Sequence, residues 1–290
     1  MLAELREADA RDEIAAIYAE IRRLWGVPYV SSLQRHLATR PGWLPWTWAA
    51  LGPAFTSGLA QTAAWRAANG LAVPSLAPIP REALRVWGVD AEGARAIRAA
   101  CASFVRVSPV NLVLSGLLRR LLAGERPATR TATDGAARAP WAPPPDLGAL
   151  PALVDPAALP AAPRALLTSL GTTVDGQPFV AGLYRMLAGW PGFFAHVATL
   201  LRQRMDDGDT GAAFRRLLEA VDAEIPAVFA MLPPFPAAPA MPPASDFQAV
   251  LTALDAYRKT SPEMVVFGRM IGEALPVVHV DDVRGGCGCA

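Results

Sequence analysis

A stretch of fifteen residues occurs twice in this sequence, and the second copy follows the first at a constant offset. Residues 28–42 correspond to residues 178–192 without a gap, an offset of 150 positions. Eight of the paired positions are identical, including Leu33/Leu183 and Arg35/Arg185. An internal repeat constrains the fold more than any local pattern does, because each copy is expected to form one structural unit.

A second pair of related segments extends the repeat across most of the chain. Ser108-Pro109 corresponds to Ser261-Pro262, at an offset of 153 positions. We therefore predict an all-α fold of two fused helical repeats, related by a pseudo-two-fold axis as in a dimer joined by a linker. The predicted boundaries are 1–123 for the first repeat, 124–163 for a Pro-rich linker, 164–280 for the second repeat and 281–290 for a flexible tail.

The composition favours a globular protein that binds neither nucleic acid nor membranes. Hydrophobic residues make up 52% of the chain and charged residues 18%, and the formal net charge is +1. No segment has the roughly 18 consecutive apolar residues that span a bilayer, and no signal peptide is recognised. Three cysteines provide no disulfide framework, so a cytoplasmic location is expected, with a homodimer left open. No metal or other cofactor is expected, because no histidine has a partner at metal-ligand spacing.

Each Ser-Pro pair has the pattern of a helix start, with a capping hydroxyl and a proline in the first turn. Helix N-termini suit a carboxylate, so Ser108 and Ser261 are predicted to hold a small organic acid near the pseudo-two-fold axis. The alternative is that both are ordinary helix caps. By the same pattern, Pro28 and Pro178 are predicted to lie in the first turn of the helices that follow them.

Three groups of residues resemble a known family. They are Val27-Pro28-x-Val30, then Leu37-Ala38-Thr39-x-Pro41-Gly42-x-Leu44-Pro45-x-x-Trp48, and finally Pro109-x-x-Leu112-x-Leu114 with Trp190-Pro191 and the Tyr257 helix. In these residues the chain resembles the DehI-type (group I) 2-haloacid dehalogenases, which are all-helical enzymes of two fused repeats. The resemblance covers nearly the whole chain. It implies a hydrolase in which an aspartate activates water, and the water displaces halide from a small 2-halocarboxylate with inversion.

The resemblance also assigns individual positions. The position of the catalytic aspartate is occupied by Leu183, and that of the water-holding asparagine by Ser108. Because leucine cannot activate water, either Asp175, the nearest acid upstream, is the base, or the family reaction is not performed. Asp175-Gly176 also has the pattern of a simple turn. The substrate-binding positions implied by the resemblance are Tyr29, Ser31, Ser32, Asn111, Leu183, Tyr257, Thr260, Ser261 and Met264.

Three functions remain open from the sequence. The first is hydrolytic dehalogenation of a small 2-halocarboxylate, and the second is a homologue without catalysis that binds a small carboxylate or apolar ligand between the repeats. The third is a thiol oxidoreductase of the AhpD-like all-helical type, which would require a Cys-x-x-Cys pair. Cys101 stands alone on its predicted helix, and Cys287 and Cys289 lie in the predicted tail.

Overall fold

The computed structural model describes residues 2–127, 141–174, 176–234 and 239–276. In these residues the fold is all-α apart from one short β-hairpin, and the predicted fold class is confirmed. The helices of the N-terminal part are α1 (Asp12–Trp25), α2 (Ser32–Leu37), α3 (Trp43–Thr56), α4 (Leu59–Asn69), α5 (Arg81–Val86) and α6 (Ala91–Leu122). The later elements are α7 (Ala161–Ser169), β1 (Thr172–Val174), β2 (Gln177–Phe179), α8 (Gly182–Leu187), α9 (Pro191–Met205), α10 (Gly208–Ala230) and α11 (Phe247–Ala274).

Local sequence signals account for several helix ends. Helix α1 stops at Gly26, which adopts a left-handed conformation with φ 61° and donates its N–H to the carbonyl of Arg22. Helix α6 begins after Asp90, whose side chain accepts a hydrogen bond of 2.7 Å from the Gly93 N–H. These are the bounds that glycine and capping patterns predict from the sequence.

The Ser-Pro pairs do not start helices, and this prediction was wrong. Pro109 lies inside α6 and Pro262 lies inside α11, and the helices continue to Leu122 and Ala274, respectively. Pro109 removes one backbone hydrogen bond to the carbonyl four residues earlier. Helix α6 persists because every residue from 107 to 118 is buried, so tertiary packing on all sides outweighs the lost bond.

The repeated prolines also stand elsewhere than predicted. Pro28 lies in the bend between α1 and α2, four residues before α2 begins. Pro178 lies in β2, opposite Thr173 of the antiparallel strand β1. A two-stranded hairpin of three residues per strand leaves too weak an alternation of apolar and polar residues to be recognised in the sequence.

Helices α6 and α11 pack against each other at the centre of the core. Gly268 of α11 allows this approach, because a Cβ atom there would lie 3.0 Å from Val105 Cγ2 and 3.2 Å from the carbonyl oxygen of Cys101. The neighbouring helices α1, α3, α4, α8 and α10 cover the remaining sides of α6. Most of the buried apolar side chains therefore belong to one continuous core.

Two irregular segments run beside the repeated short helices, and we call them the first strap (residues 2–10) and the second strap (residues 151–159). Each contains a single 3-10 turn, Glu7–Asp9 in the first and Pro156–Ala158 in the second. The second strap falls within the stretch predicted as linker. The predicted domain boundaries stay a prediction. Part of the predicted linker nevertheless runs beside a repeated short helix, as the first strap does.

The two straps are held by corresponding backbone hydrogen bonds. The Leu5 N–H donates to the carbonyl of Arg35 at 3.0 Å, and the Val154 N–H donates to the carbonyl of Arg185 at 3.3 Å. Arg35 and Arg185 are a pair of identical residues in the sequence repeat. The pseudo-two-fold axis itself stays a prediction, whereas these bonds show the same local contact made twice.

Among the described residues, one helix is long and apolar enough to cross a membrane by length and composition alone. That helix is α6, and 83% of its most apolar window is buried inside the protein. Its apolar residues are thus already covered by other helices, as in the core helix of a soluble protein. The predicted tail, with Cys287 and Cys289, lies outside the described residues.

The close approach of α6 and α11 yields a stability prediction from two glycines one turn apart. Glycine to alanine in a helix interior gains about 0.5–1 kcal/mol where the methyl group has room. At Gly272 the new Cβ would lie 3.8 Å from Cys101 Cβ, so we expect Gly272→Ala to stabilise the protein. Gly268→Ala meets backbone at 3.2 Å and is expected to lose that gain. Equal free energies of unfolding for the two variants in urea would contradict this packing.

Candidate functional site

A cavity of about 90 Å³ is enclosed by α2, α6, α8, α11, the end of β2 and both straps. That volume holds a few water molecules or one small organic molecule. Nine of the eleven residues named from the sequence lie in its wall. They are Tyr29, Ser31, Ser32, Ser108, Asn111, Tyr257, Thr260, Ser261 and Met264.

Residues that correspond in the sequence repeat face this cavity in pairs. With the offset of 150, Ser32 corresponds to Gly182, and with the offset of 153, Ser108 corresponds to Ser261. Both members of each pair line the cavity, and the same holds for five further pairs. These are Tyr29/Phe179, Ser31/Ala181, Phe104/Tyr257, Val107/Thr260 and Asn111/Met264.

Two aromatic pairs form opposite parts of the wall. The rings of Tyr29 and Phe104 have centroids 5.5 Å apart, and those of Phe179 and Tyr257 have centroids 5.3 Å apart. Burial raises the pKa of the Tyr29 and Tyr257 hydroxyls well above its ordinary value. Both tyrosines therefore stay protonated at neutral pH and keep a hydrogen to donate.

The polar part of the wall offers hydrogen-bond donors. Gln34 Nε2 donates to Asn111 Oδ1 at 3.0 Å. This bond directs the Asn111 carbonyl oxygen towards Gln34 and leaves the amide N–H groups of Asn111 for the cavity. The buried hydroxyls of Tyr29 and Ser31 have no hydrogen-bond partner among the residues that the structure describes. Such unsatisfied groups cost free energy unless water or a ligand reaches them.

Arg35 was missed as a site residue, although its pairing with Arg185 marked it in the repeat. Of the described lining residues, Arg35 is the one with a positive charge. One of its terminal nitrogens, Nη2, lies 2.6 Å from the carboxylate of Glu4 and 3.3 Å from Ser32 Oγ. Its Nε is buried without a hydrogen-bond partner. On the edge of the Arg35 guanidinium that Nε and Nη2 form, only Nη2 therefore has partners among the described residues.

Glu7 of the first strap is the carboxylate among the described lining residues, and it too was missed. Its Oε1 accepts a hydrogen bond of 2.8 Å from the Val30 N–H, and its Oε2 pairs with Arg22. Both oxygens are therefore engaged at the edge of the cavity. Nothing in the local sequence pattern indicated that this strap would reach the site.

The position assigned to the catalytic base does not face the cavity. Leu183 is fully buried in the core beneath α8, whereas the preceding Gly182 lines the cavity. A Cβ atom on Gly182 would lie 2.8 Å from Phe104 Cζ, so the ring of Phe104 fills the space that a side chain would need. Asp175, the other residue named as a possible base, lies outside the described residues.

The serines of the two Ser-Pro pairs reach the cavity with their side chains and not with helix ends. Ser108 and Ser261 lie in the middle of α6 and α11. No run of free N–H groups and no helix terminus is available there, because a helix interior uses its N–H groups internally. The prediction that two helix N-termini hold a carboxylate is therefore wrong, and only the hydroxyls remain as donors.

Neither thiol chemistry nor a metal centre emerges from the described part of the chain. Burial raises the pKa of the Cys101 thiol to about 12, which opposes formation of a reactive thiolate. Cys101 is the free cysteine that the structure describes, and it is buried. Within the described ranges no three His, Cys, Asp or Glu side chains lie close enough together to hold a metal ion.

The fold matches solved structures of D-2-haloacid dehalogenase. A mutant in complex with D-2-CPA aligns with a TM-score of 0.71 and 15% identity, over 94% of this chain and 96% of that chain. A second mutant structure aligns with a TM-score of 0.73 and 16% identity, and a complex with L-LA with 0.69 and 15%, at the same coverage. No protein-family model and no curated protein sequence matches. At this identity the likeness shows a shared fold, in line with the family resemblance read from the sequence.

Glu263 is an acid of α11 that lies next to the lining residue Met264 but outside the lining itself. Burial raises the pKa of the Glu263 carboxyl from 4.5 to about 7, and the charge of Lys259 opposes the rise. Its negative charge also raises the pKa of the buried Tyr184. The folded protein therefore favours the protonated form of Glu263 at mildly acidic pH.

This shift predicts a pH-dependent stability. Because the pKa is higher in the folded than in the unfolded chain, the contribution of Glu263 is fully present below pH 4.5 and is lost as the pH rises through about 7. Relative to Glu263→Gln, the wild-type protein is expected to lose about 1–3 kcal/mol of unfolding free energy between pH 4.5 and 8. Urea unfolding across this range measures the difference. A constant offset between the two proteins, like that expected for the exposed control Glu13→Gln, would exclude the shift.

Proposed function

We propose that the cavity binds a small 2-substituted carboxylate. The observation that carries the proposal is Arg35, a cationic residue of the cavity lining whose buried Nε has no partner among the described residues. A buried donor on a cation is costly to leave unpaired, and a carboxylate is the partner whose charge and geometry suit it. The amide of Asn111 and the hydroxyls of Tyr29 and Ser31 supply further donors within the same wall.

The apolar part of the wall suits the remainder of such a ligand. Phe104, Phe179 and Met264 present rings and a thioether to the cavity. These groups suit a short alkyl chain or a halogen substituent, which gain by leaving water. The structural neighbours are named as D-2-haloacid dehalogenases, and this name supports a ligand of the same class.

Hydrolytic removal of halide is the second candidate. It is favoured by the shared fold and by the presence of the Glu7 carboxylate in the lining. In that reaction the oxygen of water bonds to C2, the halide leaves with the bonding electrons, and a carboxylate takes the proton from water. Ser108 and Asn111, which line the cavity, would hold the water, and Glu7 or Asp175 would serve as the base. Glu7 would first have to release an oxygen from Val30 or Arg22.

The binding proposal predicts a loss of affinity when the Arg35 charge is removed. Titration calorimetry with 2-chloropropionate is expected to give a Kd about 10- to 100-fold weaker for Arg35→Gln, because a charge-assisted hydrogen bond is lost. Arg35→Lys keeps the charge without the planar fork and should fall between the two. The control is Arg66→Gln, whose guanidinium pairs with Glu224 and does not line the cavity. Equal losses for both glutamine variants would refute a role for Arg35 in the site.

The catalytic candidate is tested by halide release. Wild-type protein is incubated with each enantiomer of 2-chloropropionate from pH 6 to 10, and chloride is measured. If Glu7 is the base, Glu7→Gln should lower the rate by about 100-fold or more while Kd changes little. Absence of chloride for both enantiomers, together with measurable binding, would leave a binding protein without this reaction.

A further inference from the structure

The ion pair between Glu4 and Arg35 uses only part of the guanidinium. Glu4 lies 2.6 Å from Nη2, and both side chains are largely buried, with exposed fractions of 15% and 13%. The neighbouring Nε on the same edge has no partner. Arginine can present Nε and one terminal nitrogen together to the two oxygens of one carboxylate. Glu4 therefore holds Arg35 through one of the two donors on that edge.

A complete pair of this kind occurs elsewhere in the same protein. Arg66 Nε donates to Glu224 Oε1 at 3.0 Å, and Arg66 Nη2 pairs with Glu224 Oε2. This two-bond geometry forms at a more exposed site, where the gain from pairing is smaller. The single bond of Glu4 is thus the less satisfied arrangement, although it lies in the more buried position.

The repeat-related arginine is arranged differently. Arg185 Nε donates to the carbonyl of Val154 in the second strap at 3.0 Å, and Arg185 does not line the cavity. The residue of the second strap that does line the cavity is the apolar Leu153. Of this pair of arginines, Arg35 lines the cavity and has an Nε without a partner among the described residues, whereas the Nε of Arg185 is bonded.

We propose that Glu4 is an internal competitor for the carboxylate site, and that a ligand carboxylate replaces it on Arg35. This inference rests on the proposed function. With Glu4 in place, an entering carboxylate would bring a second negative charge to one guanidinium, which is unfavourable in a buried site. Exchange keeps one anion on Arg35 and lets it fill both Nε and Nη2, while Arg185, on which the charge of Glu4 also acts, keeps its own bond to the carbonyl of Val154.

The first strap permits this exchange without being released. The carbonyl of Ala3 lies 2.9 Å from His36 Nδ1, and the Leu5 N–H is bonded to the carbonyl of Arg35, so the backbone on both sides of Glu4 is fixed. Ala3 and Arg6 are exposed, which places solvent beside Glu4. Rotation of the Glu4 side chain towards this solvent would clear the guanidinium edge while the backbone stays in place.

The test compares Glu4→Gln with wild-type protein in titrations of 2-chloropropionate and of the uncharged propionamide. Removal of the competing charge is expected to tighten 2-chloropropionate binding by about tenfold, the scale of one charge-assisted hydrogen bond. Binding of propionamide should be unchanged. The matched control is Glu13→Gln, an exposed acid of α1 that should change neither affinity. Glu4→Ala provides a second removal of the charge, and thermal unfolding verifies that each variant is folded.

The outcomes separate the two proposals. Unchanged or weaker binding of 2-chloropropionate to both Glu4 variants, with clear binding to wild type, would overturn the competitor role and leave the proposed function standing. An equal gain for propionamide would also overturn it, because the effect would then be one of space and not of charge. If neither wild type nor any folded variant binds 2-chloropropionate, the proposed function itself fails.

Discussion

The cavity depends on two long helices that remain helical through an interior proline. Helices α6 and α11 each lose one backbone hydrogen bond at that proline, and dense packing around them outweighs the loss. Because both continue, helical spacing brings the residues at 104, 108 and 111 to one face of α6 and those at 257, 261 and 264 to one face of α11. A helix start at each serine would have placed the preceding aromatic residues elsewhere.

Much of the fold could be predicted because the sequence contains an internal repeat and clear local helix signals. The all-α class was predicted correctly, and the glycine end of α1 and the Asp90 cap of α6 follow from local chemistry. The Ser-Pro pattern misled because capping signals are local, whereas burial of α6 on every side is a property of the whole fold. The second strap could not be predicted for a different reason. A proline-rich composition indicates an extended chain, but it does not show that this chain is hydrogen-bonded to Arg185.

The residues of the candidate site also fall into two groups, those that a sequence motif marks and those that only tertiary packing brings to the cavity. Residues of the repeated motifs, such as Tyr29, Ser108 and Tyr257, could be placed at a shared cavity because a repeat relates them in pairs. Glu7 could not, because it belongs to a segment with no motif and reaches the site through tertiary packing. Arg35 belongs to the repeated motif, but its proposed role depends on an unpaired Nε, which only the three-dimensional structure shows. A sequence pattern can indicate which residues share a site, but it cannot show that one of their hydrogen-bond donors is unpaired.

The ring of Phe104 lies against Gly182, so substitutions at these two positions, which are distant in the sequence, depend on each other. No side chain can be added at 182 while the ring keeps its place, since the first added carbon would lie 2.8 Å from it. A side chain at 182 therefore needs either a shift of the ring or a smaller residue at 104, and a smaller residue alone would open a void beside Tyr29. The residues at 104 and 182 are thus expected to change together.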